Sequence, residues 1–122
     1  MQFNLDTTTG LSIRSYSPGR LRLGDDDLTS PVIINSTQVI ITDWAAPVIG
    51  ELRLDDLQPA LDEKPELILL GTGDQHVFPP ARVVAEILRQ GIGFECMNTG
   101  AACRTFNVLV SEGRQVVAAL IV

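Results

Sequence analysis

The chain has 122 residues and a mass of 13.2 kDa, so we expect one domain over residues 1–122, because two separate cores need more chain. Hydrophobic residues make up 45% and charged residues 20%, which excludes a disordered or collagen-like chain. Nine basic against fifteen acidic residues give a net charge of −6, and this acidity opposes contact with phosphate backbones and argues against a nucleic-acid partner.

The cysteines and the apolar runs indicate the compartment and the relation to membranes. Cys96 and Cys103 have neither the spacing of a zinc site nor that of a disulfide framework, so we expect no metal and a reducing compartment. Residues 1–6 lack the basic start and the apolar stretch of a secretory signal. The longest apolar run, residues 116–122, is far shorter than the roughly 20 residues that span a bilayer. We therefore expect a cytoplasmic protein that does not cross a membrane.

Alternating apolar and polar residues predict a first half made of short strands. Residues 11–16 and 20–23 alternate in this way, and the Ser-Pro-Gly sequence at residues 17–19 between them is typical of a turn, so we expect a hairpin. The aspartates at residues 25–27 lack the central glycine and the distant glutamate of a calcium loop, and we expect a solvated loop there.

A second hairpin is predicted from two β-branched runs, residues 32–34 and 39–41, which flank polar turn residues. Trp44 follows, and because its large apolar surface is costly to leave in water, we expect it to anchor the core or its rim. Acidic residues and a proline within residues 55–61 predict a short connecting helix.

The second half alternates strands and helices. We predict, in order, a buried strand at residues 66–70, a helix after residues 79–80, a strand at 93–97, a helix from residues 98–100 to Gly113, and a strand at 116–122. The first helix carries Val83, Val84, Ile87 and Leu88 on one face and ends at Gly91. The fold class is therefore α/β, with a β-hairpin-rich first half and a β-α-β-α-β second half whose strands pair in parallel.

Two glycine turns, at residues 71–73 and 98–100, follow predicted parallel strands and should meet at the carboxyl edge of the sheet, where open α/β folds bind ligands. Backbone N–H groups at the second helix start, helped by the helix dipole and by Arg104, could bind a carboxylate or phosphate. The candidate ligand-binding residues are Gly71, Thr72, Gly73, Asp74, Thr99, Gly100, Ala101, Arg104 and Asn107. Alternatively, Thr99 caps the helix, the glycines relieve backbone strain, and Arg104 belongs to a solvated face or an ion pair.

The signals for nucleotide and cysteine chemistry are weaker. His76 stands where a dinucleotide fingerprint needs its third glycine, and neither turn continues into the Gly-Lys-Ser/Thr of a phosphate loop, so we expect no cofactor. A nucleophilic Cys96 or Cys103 can be imagined with His76 as base and Asp74 as orienting group. Both cysteines occupy apolar positions, which favours buried packing, and we assign no catalytic residue.

Several strings taken together resemble a known family. They are Leu-Gly-Thr-Gly-Asp at residues 70–74, Phe-Pro-Pro at 78–80, Gly-Ile-Gly at 91–93 and Met-Asn-Thr-Gly-Ala-Ala-Cys-Arg-Thr-Phe-Asn-Val-Leu at 97–109, with Gly10, Tyr16, Gly19 and Trp44 in the first half. Over nearly its whole length the chain is similar to the domain of unknown function shared by small bacterial and archaeal proteins, mitochondrial complex I assembly factor 3 and the human adipogenesis-associated domain protein.

The resemblance implies a three-layer α/β sandwich with a mixed sheet, and it implies no established enzyme activity. Because the mitochondrial members act in the assembly of respiratory complex I, it also implies a protein partner. Asn98 stands where many relatives have aspartate, which removes a charge from that helix start. Three hypotheses follow: first a non-enzymatic protein-binding or assembly-factor-like domain, second a binder of a small anion or metabolite, and third a cysteine-dependent enzyme.

Overall fold

The computed structural model describes residues 11–122, so Gly10 and the amino-terminal segment before it lie outside the described residues. The elements in this range are β1 (Ile13–Ser17), β2 (Arg20–Leu23), β3 (Asp26–Leu28), β4 (Val32–Asn35), β5 (Val39–Ile41), α1 (Gln58–Leu61), β6 (Leu67–Gly71), α2 (Ala81–Arg89), β7 (Gly93–Met97), α3 (Thr99–Ser111) and β8 (Val116–Leu120). Two 3₁₀ turns, Ile49–Glu51 and Leu54–Leu57, precede α1. The short connecting helix predicted before the second half is therefore confirmed.

A small antiparallel sheet is formed by β1, β2 and β3, in that order. The hairpin predicted around residues 17–19 is confirmed as the β1–β2 pair. The solvated loop predicted at residues 25–27 is wrong in part, because β3 begins within it. Asp27 pairs with Arg20 at 2.8 Å and with Arg22 at 3.4 Å, both on the neighbouring strand, and these cross-strand ion pairs allow an acidic run to join a sheet.

A five-stranded mixed sheet, in the order β5-β4-β8-β6-β7, forms the middle layer. β6 pairs in parallel with β7 on one side and with β8 on the other, whereas β4 runs antiparallel to both β8 and β5. Helices α2 and α3 make the two crossovers between the parallel strands, as the β-α-β-α-β pattern predicts. The predicted α/β fold with a mixed sheet is confirmed.

The large sheet separates two apolar cores. On one face the small sheet and α3 pack around the fully buried Phe106. On the other face the 3₁₀ turns, α1 and α2 pack around Leu57 and Ile87. Trp44 belongs to this second core, and its indole N–H donates to the carbonyl of Asp56 at 2.9 Å, so its predicted role as an anchor is confirmed.

Helix α2 is held to the sheet by a narrow buried stripe made of Val83 and Ile87. The sequence places Leu88 on the same face, and this prediction is wrong, because Leu88 is 53% exposed. α2 packs on β7, the outer strand, and no described strand lies beyond β7 to cover the flank of the helix. The helix therefore leaves apolar side chains beside an open sheet edge.

The described helices are all too short to cross a bilayer. The longest of those within residues 11–122, α3, has 13 residues, and none combines the length and the apolar content that a membrane span requires.

Asn107 joins α3 to the small sheet. Its side-chain amide accepts a hydrogen bond from the N–H of Ile13 and donates one to the carbonyl of Ile13, both at 2.8 Å. Because β1 is an outer strand of the small sheet, one side chain here takes the place of a neighbouring strand and satisfies two backbone groups. The amide of this candidate ligand-binding residue is engaged by the protein itself.

Replacing Asn107 with alanine should lower the free energy of unfolding by about 2 kcal/mol, because both backbone groups of Ile13 lose their partner. Urea unfolding followed by circular dichroism measures this change. The matched control is Ser111→Ala on the same helix, where an exposed hydroxyl bonded to the carbonyl of Val108 is removed at a cost below about 0.5 kcal/mol. Equal effects of the two variants would contradict the bridging role of Asn107.

Candidate functional site

The two glycine turns lie against each other at the carboxyl edge of β6 and β7. The N–H of Thr99 donates to the carbonyl of Gly73 at 2.8 Å, and the N–H of Gly73 donates to the hydroxyl of Thr99 at 2.8 Å. The N–H of Thr72 reaches the carbonyl of Met97 at 2.9 Å. These hydrogen bonds hold the two turns next to each other, as we expect from their positions after parallel strands.

The hydroxyl of Thr99 ties a third segment into this junction. It donates to the carbonyl of Ile121 at 2.7 Å, just after β8, while accepting the bond from Gly73. The N–H of Ile121 in turn donates to the carbonyl of Gly71 at 2.9 Å. Thr99 is fully buried, so its hydroxyl is satisfied by the protein alone. We call the hydrogen-bonded set of Gly73, Thr99 and Ile121 the Thr99 clamp.

The glycines of the first turn are required by contact and by backbone conformation. A Cβ on Gly71 would lie 2.9 Å from the side chain of Leu120, 3.0 Å from the Thr99 hydroxyl and 3.2 Å from the Cβ of Ala102, so no larger residue fits. Gly73 has a φ of 94°, a conformation that side chains disfavour. The turn at Gly71 is therefore closely packed, although we expect a ligand crevice at this edge from the sequence.

The helix start is capped by Asn98. Its side-chain oxygen accepts the N–H of Ala101 at 2.8 Å, which is the bond that an N-cap residue makes, and the cap predicted at Thr99 lies one residue earlier. The sequence offers the N–H groups of Gly100 and Ala101 to an anion, and that of Ala101 is bonded to the Asn98 side chain. In the neighbouring turn, the N–H of Gly73 is bonded to the hydroxyl of Thr99. Binding of a small anion at these turns stays a prediction, and these two donors are already engaged.

Arg104 does reach back over the start of α3. A Cβ on Gly100 would lie 3.6 Å from the guanidinium of Arg104 and 3.7 Å from the ring of Tyr16. The pKa of Tyr16 is raised, first by burial of its hydroxyl and then by the nearby charges of Asp74 and Cys103. Asp74 and Arg104 are both exposed, so this rim of the molecule is polar and open to water.

The structure brings His76 and Cys96 together but leaves Cys103 elsewhere. The Nε2 atom of His76 lies 3.4 Å from the Sγ atom of Cys96, and the carboxylate of Asp74 bonds to the side chain of Gln75. Burial, reinforced by Glu95, raises the pKa of the Cys96 thiol, and burial raises the pKa of Cys103 to about 12. Both shifts disfavour the thiolate that a cysteine nucleophile needs.

A groove at the sheet edge forms an open cavity among the described residues. It encloses about 660 Å³ between α2 and β7, with Val84 and Leu88 on the helix side and Phe94 and Cys96 on the strand side. Phe78, from the loop before α2, also lines the cavity and is 72% exposed. We call the surface made by these five residues the edge groove.

The sequence contained a partial signal for the edge groove. Phe78 is a large apolar residue between Val77 and a Pro-Pro pair, and Leu88 lies at the margin of the apolar face of α2. Both side chains are exposed in the structure. The sequence did not reveal that β7 ends the sheet, and this fact is what opens the groove.

Replacing Thr99 with valine keeps the shape of the side chain and removes the hydroxyl. We expect the free energy of unfolding to fall by about 2 to 4 kcal/mol, because the buried N–H of Gly73 and the carbonyl of Ile121 both lose a partner. Urea unfolding measures the loss. Thr105→Val is the matched control, since the hydroxyl of Thr105 only meets the sulfur of Met97 at 3.5 Å. A Thr99→Val variant as stable as the control would refute the clamp.

Alkylation of the cysteines tests the raised thiol pKa values. In the native protein at neutral pH, we expect iodoacetamide to label Cys96 more slowly than in the unfolded chain, and Cys103 to be protected. Mass spectrometry of the digested protein measures each rate, with protein unfolded in guanidinium chloride as the reference. Native labelling of either thiol faster than this reference would indicate an activated thiolate and would favour the cysteine-enzyme hypothesis.

Known proteins with similar sequences include one named as a membrane protein and several named as assembly factors. A Francisella tularensis protein named 13 kDa major membrane protein is 32% identical over 84% of this chain and 84% of its own length. The Drosophila melanogaster protein named NADH dehydrogenase (ubiquinone) 1 alpha subcomplex assembly factor 3 is 34% identical over 98% of this chain. The match spans 62% of that relative's length, so the relative has further residues that this chain does not match.

Solved structures and a family model agree with the fold. The NMR structure of a Xanthomonas campestris protein superposes with a TM-score of 0.83 at 34% identity, covering 100% of this chain and 92% of that one. The model of a family described as protein of unknown function (DUF498/DUF598) matches residues 13–121. This match includes both glycine turns and the edge groove. The chain belongs to that family, and the resemblance carried by its motifs is confirmed.

Proposed function

We propose that this protein is a non-enzymatic, assembly-factor-like domain that binds a protein partner through the edge groove. The observation that carries the proposal is the exposed apolar surface at the sheet edge, where Phe78 is 72% and Leu88 53% exposed. Contiguous apolar surface of this kind on a soluble domain marks contact sites for other molecules. Kinship with the Drosophila assembly factor supports a role in building a larger complex.

The charge of the chain narrows the class of partner. A net charge of −6 repels nucleic acid and favours a surface that is apolar or basic. The relatives named as assembly factors point to subunits of a respiratory NADH dehydrogenase as the partner, and we extend this analogy to the present chain. Binding through the groove would cover Phe78 and Leu88 until the partner is passed on to its complex.

Loss of the gene in its host should lower the amount of assembled respiratory NADH dehydrogenase in the membranes. Native gel electrophoresis and NADH oxidation by isolated membranes measure this amount. Restoring the wild-type gene should recover it, whereas Leu88→Ser should not, because a polar hydroxyl replaces an apolar wall of the groove.

The matched control for this experiment is Val48→Ser, which removes an apolar side chain that is 71% exposed and lies outside the groove. We expect this variant to restore assembly like the wild type, and both variants to retain native stability in urea. Unchanged NADH dehydrogenase in the deletion strain would refute the assembly role. Full recovery by Leu88→Ser would refute the role of the groove.

A further inference from the structure

Strand β7 has hydrogen-bonding groups that no described strand uses. The N–H of Gly93 and the carbonyl of Met97 are both bonded on the β6 side. Backbone groups along a strand alternate between its two sides, so the N–H and C=O groups of Phe94 and Cys96 face away from β6. Because β7 is the last strand of the sheet within residues 11–122, these four groups face an open edge.

The side chains of β7 divide between the two faces of the sheet. Phe94 and Cys96 lie on the α2 side, pack against the core there and line the edge groove. Met97 packs against the core on the α3 side, and Glu95 alternates with Phe94 and Cys96, so it shares the α3 side with Met97. The edge groove therefore lies on one face of residues 94–96, and the carboxylate of Glu95 lies on the other.

We propose that β7 accepts an extended segment of the partner protein as an added strand, with an apolar–basic–apolar sequence at its centre. In paired strands, residues directly opposite each other point to the same face. The partner residues opposite Phe94 and Cys96 therefore enter the edge groove, and the basic residue between them lies beside Glu95. This inference rests on the proposed function, for which it supplies the mode of binding and the chemistry of the partner.

Charge complementarity favours a basic residue at the centre of the segment. Glu95 is exposed and makes no ion pair with any other described residue, so its charge is available to an incoming strand. The chain as a whole carries a net charge of −6, which attracts a basic segment from a distance. The apolar positions supply buried area, and the basic position sets the register.

A second copy of this chain fits the edge poorly. An antiparallel register that bonds all four outward groups of two β7 strands pairs Phe94 of each copy with Cys96 of the other. The same register places the Glu95 residues of the two copies directly opposite each other, and like charges in that position destabilise a strand pair. The carboxylate thus disfavours self-pairing and favours a strand with a lysine or arginine at this position.

Selection from a library of random linear peptides displayed on phage, with the full chain as target, tests the proposal. We expect the enriched peptides to share an apolar–basic–apolar centre. A synthetic peptide of the consensus should slow amide hydrogen exchange at Phe94 and Cys96, measured by NMR, because both N–H groups then donate to the added strand. Glu95→Lys should weaken binding of the consensus peptide about fivefold. A peptide with glutamate at the basic position should bind this variant as tightly as the consensus peptide binds the wild type.

The matched control is Glu112→Lys, which makes the same change of charge at the end of α3 and should leave peptide affinity within twofold of wild type. Failure to enrich any peptide, a consensus without the alternating centre, or binding that leaves exchange at Phe94 and Cys96 unchanged would overturn strand addition. These results are separate from the deletion experiment: if Leu88→Ser still abolishes assembly, the groove binds its partner in another way and the proposed function stands.

Discussion

The hydroxyl of Thr99 occupies a point where three segments of the chain must meet. It accepts the N–H of Gly73, which follows β6, and donates to the carbonyl of Ile121, which follows β8, while its own residue begins α3. The bond from Gly73 is buried and the bond to Ile121 is partly buried, so a side chain without this hydroxyl would leave both backbone groups unpaired. Gly71 allows the approach, because any Cβ there would collide with Leu120. The hydroxyl thereby joins the ends of the neighbouring strands β6 and β8 to the start of α3.

The Thr99 clamp lies at the sheet edge where this class of fold commonly binds ligands. Open α/β sheets usually bind ligands in the crevice beyond the carboxyl ends of their parallel strands. Here the loops beyond those strand ends are hydrogen-bonded to each other, and the polar side chains of Asp74 and Arg104 beside them are exposed to water. The apolar surface appears instead along the side of β7. A sheet whose loops are bonded together, and whose last described strand has backbone groups without strand partners, suits the recognition of an extended chain.

Elements set by local pattern were predictable from the sequence. The strand Gly93–Met97 and the helix stop at Gly91 follow from an apolar run and from a residue that tolerates a positive φ of 83°. The clamp was not predictable, because the partner of Thr99 at Ile121 is distant in sequence and its approach depends on β8 entering the middle of the sheet. Leu88 was misplaced for a similar reason, since periodicity defines a helix face but not where the sheet beneath it ends.

The narrow attachment of α2 determines how the groove can adapt. Val83 and Ile87 are the buried residues of that helix, while the strand beneath it is held by a full ladder to β6. One wall of the cavity is therefore part of the hydrogen-bonded sheet, whereas the helix wall is held by side-chain packing. Under the proposed function, the apolar side chains of a bound segment would therefore meet one wall fixed by backbone hydrogen bonds and one wall fixed by the packing of two side chains.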